Sequence, residues 1–164
     1  MLDPGMQLPA LSPEDLKNMI NRTTILIGND YEMALLCDKA QVTSNKLLDK
    51  VKVLITTLGE KGSVIQTNSP SRSQNPPGRW QIEAGKPSEV VDPTGAGDAY
   101  RAGFLAGYLK DLSFEVCGQM GSVAAVFAIE KYGTTSHKFS MEEFSERYKE
   151  NFREELAYPS LRGA

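Results

Sequence analysis

The chain has 164 residues, 40% hydrophobic and 24% charged, with a formal net charge of −3. That composition fits one water-soluble globular domain with its own core, and the acidic balance argues against a broad nucleic-acid surface. A single histidine, His137, excludes a histidine-based metal cluster or triad, and two cysteines, Cys37 and Cys117, read as free thiols in a reducing compartment rather than a disulfide framework.

The first residues have neither the basic nor the apolar region of a signal peptide. Asp3-Pro4-Gly5 reads as the end of a loop whose preceding strand is absent, so Met1 is expected to be an internal start of a longer protein. Ser12-Pro13-Glu14-Asp15 is a helix start, with Ser as cap and Pro at the first position. That helix is predicted to reach about Asn21 with Leu16, Met19 and Ile20 inward. Thr23 to Gly28 is apolar and β-branched, a buried strand. Asn29-Asp30-Tyr31-Glu32 then opens a helix to about Cys37. Asn29 and Glu32 sit on one face of the first turn, where they are equally a cap and a pair of polar groups at a strand end.

Thr43 caps a helix to about Lys50, and Val51 to Leu58 is a second buried strand running into Gly59-Glu60-Lys61-Gly62. Ligands in open α/β sheets collect at such carboxyl ends, although Gly-x-x-Gly alone is usually only a turn. Residues 62–67 and 79–84 alternate as hairpin strands, with Trp80 half-buried, around a Ser-, Pro- and Asn-rich loop from Asn68 to Gly78 that reads as solvated.

Glu89-Val90-Val91 reads as a short strand feeding Asp92-Pro93-Thr94-Gly95-Ala96-Gly97-Asp98, after which a helix with a small face (Ala99, Gly103, Ala106, Gly107) runs to about Lys110. Strand, glycine turn and helix form a phosphate-binding arrangement. The first helical N–H groups have no intrahelical acceptor, the dipole is positive there, and glycines admit an anion closely. A carboxylate at Asp98 would repel that anion unless its task is to receive a proton, as in orienting an attacking hydroxyl. Acids are also ordinary in a first turn, and spacing leaves both readings open. Other phosphate loops fail: no Gly-x-x-x-x-Gly-Lys-Ser/Thr string occurs, the dinucleotide turn lacks its third glycine at Tyr100, and Gln119 and Met120 stand where its acid is needed.

Ser113 to about Tyr132 reads as a long helix. One side is apolar (Val116, Met120, Val123, Phe127) and another small (Gly121, Ser122, Ala124, Ala125, Ala128), as close helix packing requires. Its run Val123 to Ile129, the longest apolar stretch, is far short of a bilayer span. Gly133 ends the helix. Ser140 opens a last helix whose Phe144, Tyr148 and Phe152 form an aromatic core stripe.

Three of these stretches together carry a resemblance. Asp92-Pro93-Thr94-Gly95-Ala96-Gly97-Asp98 resembles the Asp-Thr-x-Gly-Ala-Gly-Asp signature of the PfkB, or ribokinase-like, carbohydrate kinases. Asn29-x-x-Glu32 and Thr57-Leu58-Gly59-x-x-Gly62 resemble the family's other motifs in the same order, and the likeness runs from about Asp3 to Phe152. Within the family the chain is most similar to bacterial adenosine-kinase-type members. The resemblance implies an α/β fold, a three-layer α/β/α ribokinase-like sandwich with a mostly parallel central sheet. It implies transfer of the ATP γ-phosphoryl group to a primary hydroxyl of a sugar or nucleoside. Asp98 would be the base, and Gly95, Ala96 and Gly97 the anion hole. Asn29 would lie by the phosphates, and Glu32 would organise Mg2+ through water, as suits an ion that keeps its waters. Thr57, Gly59, Gly62 and Ser122 would contact the nucleotide, with the helix after Ser113 and its glycine loop as one wall of the adenine pocket. A K+ ion would be held by Asp92, Thr94, Ala128, Lys131, Gly133 and His137, mainly through backbone carbonyls, with His137 in place of a small hydroxyl residue. Pro93 stands where Thr is common and fixes φ before the turn. Arg101 matches the subgroup and reads as a solvent-facing helix residue, with a phosphate contact as the second reading.

The family places its acceptor pocket and small β lid in an N-terminal half with no counterpart here. The chain is therefore expected to be the C-terminal ATP-binding portion over 1–157, with a loose tail over 158–164. A missing N-terminal half or a homodimer partner would complete it. The alternative is a non-catalytic nucleotide-binding fragment of a truncated or split kinase. A small-molecule sugar or nucleoside is the implied partner, with no nucleic acid, no membrane and a cytoplasmic location.

Overall fold

Short polar side chains begin the helices where the sequence predicts. Ser12 accepts from the N–H of Asp15 at the start of α1 (Pro13–Asn21), Asn29 from Glu32 in α2 (Asp30–Ala40), and Thr43 from Lys46 in α3 (Ser44–Leu48). Ser113 and Ser140 do the same for α5 (Phe114–Ile129) and α6 (Met141–Phe152). Each such bond satisfies a donor with no helical acceptor. The computed structural model describes residues 1–68 and 76–158, and packing divides the chain into two compact units, Met1–Gln81 and Ile82 onward. Most of the predicted loop between 68 and 78, and the predicted tail beyond Tyr158, lie outside the described residues.

The first unit holds a mixed four-stranded sheet in the order β1 (Ile25–Asn29), β2 (Val53–Thr57), β3 (Ser63–Thr67), β4 (Gly78–Ile82). β1 and β2 are parallel, with Ile25 opposite Val53 and Asn29 opposite Thr57. β2 and β3 are antiparallel, Ile55 facing Ile65. The expected mostly parallel sheet is thus replaced by a mixed one. A parallel pair needs a crossover of about a dozen residues, and only the turn at 58–62 joins β2 to β3. Leu2 adds a single parallel bridge to Leu26. Leu26 and Leu54 pack with Leu16 and Ile20 of α1 and Leu36 of α2 in one apolar cluster. Met19, expected inward, is only half-buried. α2 passes the predicted end at Cys37 and stops at Gln41, which turns left-handed at φ 54°.

In the second unit, 89–91 is not a strand. A strand exists only as a ladder partner, and this segment instead leans on the end of α5: the N–H groups of Val91 and Asp92 donate to the Ile129 carbonyl at 2.8 and 3.1 Å. Val90 and Val91 remain exposed. α4 (Ala96–Leu109) lies against α5 so closely that a Cβ on Gly103 would sit 2.5 Å from the Met120 carbonyl oxygen and 2.9 Å from the Ala124 Cβ. The small faces seen in the sequence are this contact. Phe144 and Tyr148 of α6 are buried beside Met120, Val123 and Ala124, as the aromatic stripe predicts. The Tyr148 hydroxyl donates to the buried Gln119 side-chain oxygen, and burial pushes its pKa up.

Candidate active site

In the first unit, parallel pairing puts the carboxyl ends of β1 and β2 side by side, so Asn29 and Thr57 are neighbours in register. Asn29 and Glu32 form a reciprocal capping box: the Asn29 side-chain oxygen accepts from the Glu32 N–H at 2.8 Å, and a Glu32 carboxylate oxygen accepts from the Asn29 N–H at 2.9 Å. Past Thr57 the chain makes a single turn, Gly59–Lys61, with Gly59 at φ 59° and Gly62 at φ 84°. It is closed by the Leu58 N–H on the Gly62 carbonyl at 2.8 Å. Asn29, Glu32, Thr57, Gly59 and Gly62 therefore share one end of one strand pair. No cluster of three or more His, Cys, Asp or Glu suited to a metal ion occurs among the described residues.

In the second unit, the Asp92 carboxylate ties the glycine turn to the loop after α5. One oxygen accepts from the Thr94 N–H at 2.9 Å and the other from the Gly133 N–H at 3.0 Å. The Thr94 bonds, followed by that of Gly133, hold the Asp92 pKa below the usual carboxylate range. Gly95 is left-handed at φ 87°, and a Cβ there would crowd Thr134 at 3.2 Å, so the turn needs glycine twice over. α4 opens without a side-chain cap. The Ala96 N–H bonds the Pro93 carbonyl at 3.3 Å, and a Cβ on Gly97 would meet nothing within 4 Å. The helix opening is therefore approachable at Gly97.

The Asp98 side chain is 68% exposed and pairs with the guanidinium of Arg101, whose side chain is 28% exposed. This corrects the expectation that Arg101 simply faces solvent: long side chains on a helix lean toward its N-terminus, which carries the guanidinium back to the turn. The pair thus joins an exposed carboxylate to a partly buried guanidinium, whose pKa burial lowers.

Other predicted residues are more dispersed. Ser122 is buried and its hydroxyl donates to the Glu83 carbonyl at 3.1 Å. The Ala128 carbonyl accepts from the Lys131 N–H at 3.3 Å. Gly133 is left-handed at φ 85°. The His137 ring lies 6.4 Å from that of Phe139, stacked on it. Sequence reasoning missed a brace behind the turn. One Glu130 carboxylate oxygen accepts from the Ser88 N–H at 2.7 Å and from Arg147 of α6 at 2.8 Å. Arg147 also stacks over Phe127, 5.0 Å from the ring centre. Burial raises the Glu130 pKa, but the Ser88 and Arg147 bonds outweigh it and the net shift is downward. The only signal in the sequence was an acid at the end of an otherwise apolar helix.

The model of the pfkB family carbohydrate kinases matches residues 1–140. The chain belongs to the pfkB family. Over 145 residues it is 37% identical to a nucleoside kinase of Methanocaldococcus jannaschii, covering 88% of this chain and 45% of that protein. A cytidine kinase of Thermococcus kodakarensis is 32% identical over 124 residues, 74% of this chain and 42% of that protein. Among solved structures, the Burkholderia thailandensis nucleoside kinase in complex with inosine matches with a TM-score of 0.86 at 31% identity, covering 93% of this chain and 49% of that one. The same kinase in complex with ADP-inosine matches with a TM-score of 0.88 at 30% identity, covering 98% and 48%. This pfkB chain thus spans about half the length of its relatives, with their ribokinase-like fold over that half. Among the described residues no helix is long and apolar enough to cross a membrane.

Proposed function

We propose that this chain carries the phosphoryl-donor side of an ATP-dependent nucleoside kinase, with residues 1–157 as its ATP-binding portion. The observation that carries the reading is the left-handed Gly95 turn, opening on the approachable amides at Gly97 with the exposed carboxylate of Asp98 beside them. Asp98 takes the proton of the acceptor's primary hydroxyl as the oxygen attacks the γ-phosphorus and the bond to ADP breaks. The N–H groups of Gly95 to Asp98 hold the charge on the transferred group. Ala96 contributes least, since its N–H already has an acceptor. Asn29 lies toward the phosphates. Glu32, with one carboxylate oxygen in the capping box, suits a partner that touches Mg2+ through water. Bound magnesium supplies charge neutralisation on the β- and γ-phosphates. Thr57, Gly59, Gly62 and Ser122 seat the nucleotide. Asp92, kept anionic by its two N–H donors, provides the negative charge a K+ site needs, with Thr94 and the carbonyls of Ala128, Lys131, Gly133 and His137 around it. The nucleoside acceptor is favoured over a sugar by the relatives named above.

A second reading, a nucleotide-binding half that needs another half for turnover, is favoured by the 45% coverage of the M. jannaschii kinase. Calorimetry of the chain with Mg-ATP, followed by assays of inosine- and ribose-dependent ADP release, separates the two. Binding with turnover supports the enzyme; binding without turnover supports the half; no binding rejects both. In an active preparation, Asp98→Asn keeps nucleotide affinity and lowers turnover about 10²–10⁴-fold. Near-normal turnover rejects Asp98 as the base.

A further inference from the structure

Arg101 is the only cationic residue between Asp92 and Leu109. It lies one turn into α4, and its guanidinium returns to pair with Asp98 in the first turn. Burial of that guanidinium disfavours its charged form, whereas a pair with an exposed carboxylate three residues away is worth little on its own. A cation held partly out of water is not explained by that pair alone. The turn also gathers negative charge. Asp92 is kept anionic by the N–H groups of Thr94 and Gly133, and Asp98 is paired as a carboxylate. A polyphosphate arriving at Gly97 therefore meets two like charges in the same turn, against about half a unit of positive charge from the helix opening.

We propose that Arg101 bridges Asp98 and the γ-phosphate of the donor, and so makes this chain discriminate a triphosphate from a diphosphate. The inference rests on the kinase reading given above. A guanidinium is a planar fork that can hold a carboxylate and a phosphate oxygen together, and it stays charged when partly buried. A base must lie within hydrogen-bond reach of the hydroxyl it activates, so the group being transferred lies beside Asp98, and of the three phosphates that one is the γ. The contact that holds Arg101 on Asp98 thereby also places it at the γ-phosphate. The α- and β-phosphates, which ADP shares with ATP, lie farther off. The bridge offsets the repulsion between base and phosphoryl group without moving the base.

Calorimetry of the full chain with Mg-ADP and with the magnesium complex of AMP-PNP, a non-hydrolysable ATP analogue, tests the proposal without need of turnover. Arg101→Gln is expected to weaken AMP-PNP about tenfold to a hundredfold, the worth of a hydrogen bond to a charged group, and to leave Mg-ADP within about twofold. On the unaltered chain, AMP-PNP should shield Arg101 from phenylglyoxal, read by peptide mass spectrometry, and Mg-ADP should not. That measurement decides should Arg101→Gln fail to fold by circular dichroism. The proposal is overturned by equal weakening of the two nucleotides, by no weakening of AMP-PNP, or by shielding that does not differ between them. Any of these with both nucleotides bound to the parent counts against Arg101 alone and leaves the kinase reading standing. A parent chain that binds neither nucleotide overturns both.

Discussion

Gly103→Ala and Gly97→Ala are the same chemical change on one helix, with opposite expected consequences. Alanine is favoured over glycine inside a helix by about 0.8–1.0 kcal/mol, so propensity alone predicts stabilisation at both sites. At Gly103 the new methyl would stand 2.5 Å from the Met120 carbonyl oxygen and 2.9 Å from both the Gly121 Cα and the Ala124 Cβ. Two of those atoms are backbone and none is the end of a flexible chain, so α4 and α5 must move apart. Overpacking of this kind costs about 1–3 kcal/mol, and the rigidity of the neighbours puts it at the upper end. After the propensity gain, a net loss of about 2 kcal/mol remains. In a chain of this size that lowers Tm by roughly 4–8 °C. At Gly97 the methyl meets nothing within 4 Å, so stability stays level or rises by up to about 1 kcal/mol, while the methyl narrows the approach to the helix opening and weakens Mg-ATP binding. Thermal unfolding followed by circular dichroism, with calorimetry of Mg-ATP, measures both. A Gly103→Ala variant as stable as the parent would refute the account of the helix contact. A Gly97→Ala variant with unchanged nucleotide affinity would remove Gly97 from the anion site.

The remaining predictions concern the brace, the buried hydroxyl and the ion. Because Ser88 and Arg147 hold the Glu130 pKa below its unfolded value, their stabilisation is present above about pH 4.5 and is lost as pH falls through the lower, folded pKa. Urea midpoints of Glu130→Gln measured from pH 7 down to pH 3 should fall less steeply than those of the parent; parallel curves would show that the brace carries no such linkage. Tyr148→Phe leaves the buried Gln119 oxygen without its donor and should cost about 1–3 kcal/mol, read as a lowered unfolding midpoint. Phosphoryl transfer should run faster in potassium than in sodium buffer, and equal rates would remove the ion site around Asp92.

The sequence made visible what depends on near neighbours along the chain. Ser12, Asn29, Thr43, Ser113 and Ser140 each bond an N–H three residues on, so one side chain and a short spacing announce each helix. The glycine turn was equally plain, since a left-handed residue before a helix restricts the choice to glycine. What escaped depends on partners far along the chain. Val90 and Val91 have strand-forming side chains, yet β propensity without a ladder makes no strand. The Glu130–Arg147–Ser88 brace joins residues 17 and 42 positions apart, and no local period encodes it. Arg101 was misjudged because its helical position was read without the length of its side chain.

Both amides at 91 and 92 end on the one carbonyl of Ile129, at the last residue of α5. Fraying of that final helical turn and release of the segment entering the glycine loop are thus a single event. Deuterium uptake at these two amides should keep pace with uptake in the closing turn of the helix, so the rim of the proposed phosphate pocket inherits its lifetime from a helix terminus rather than from the loop's own composition.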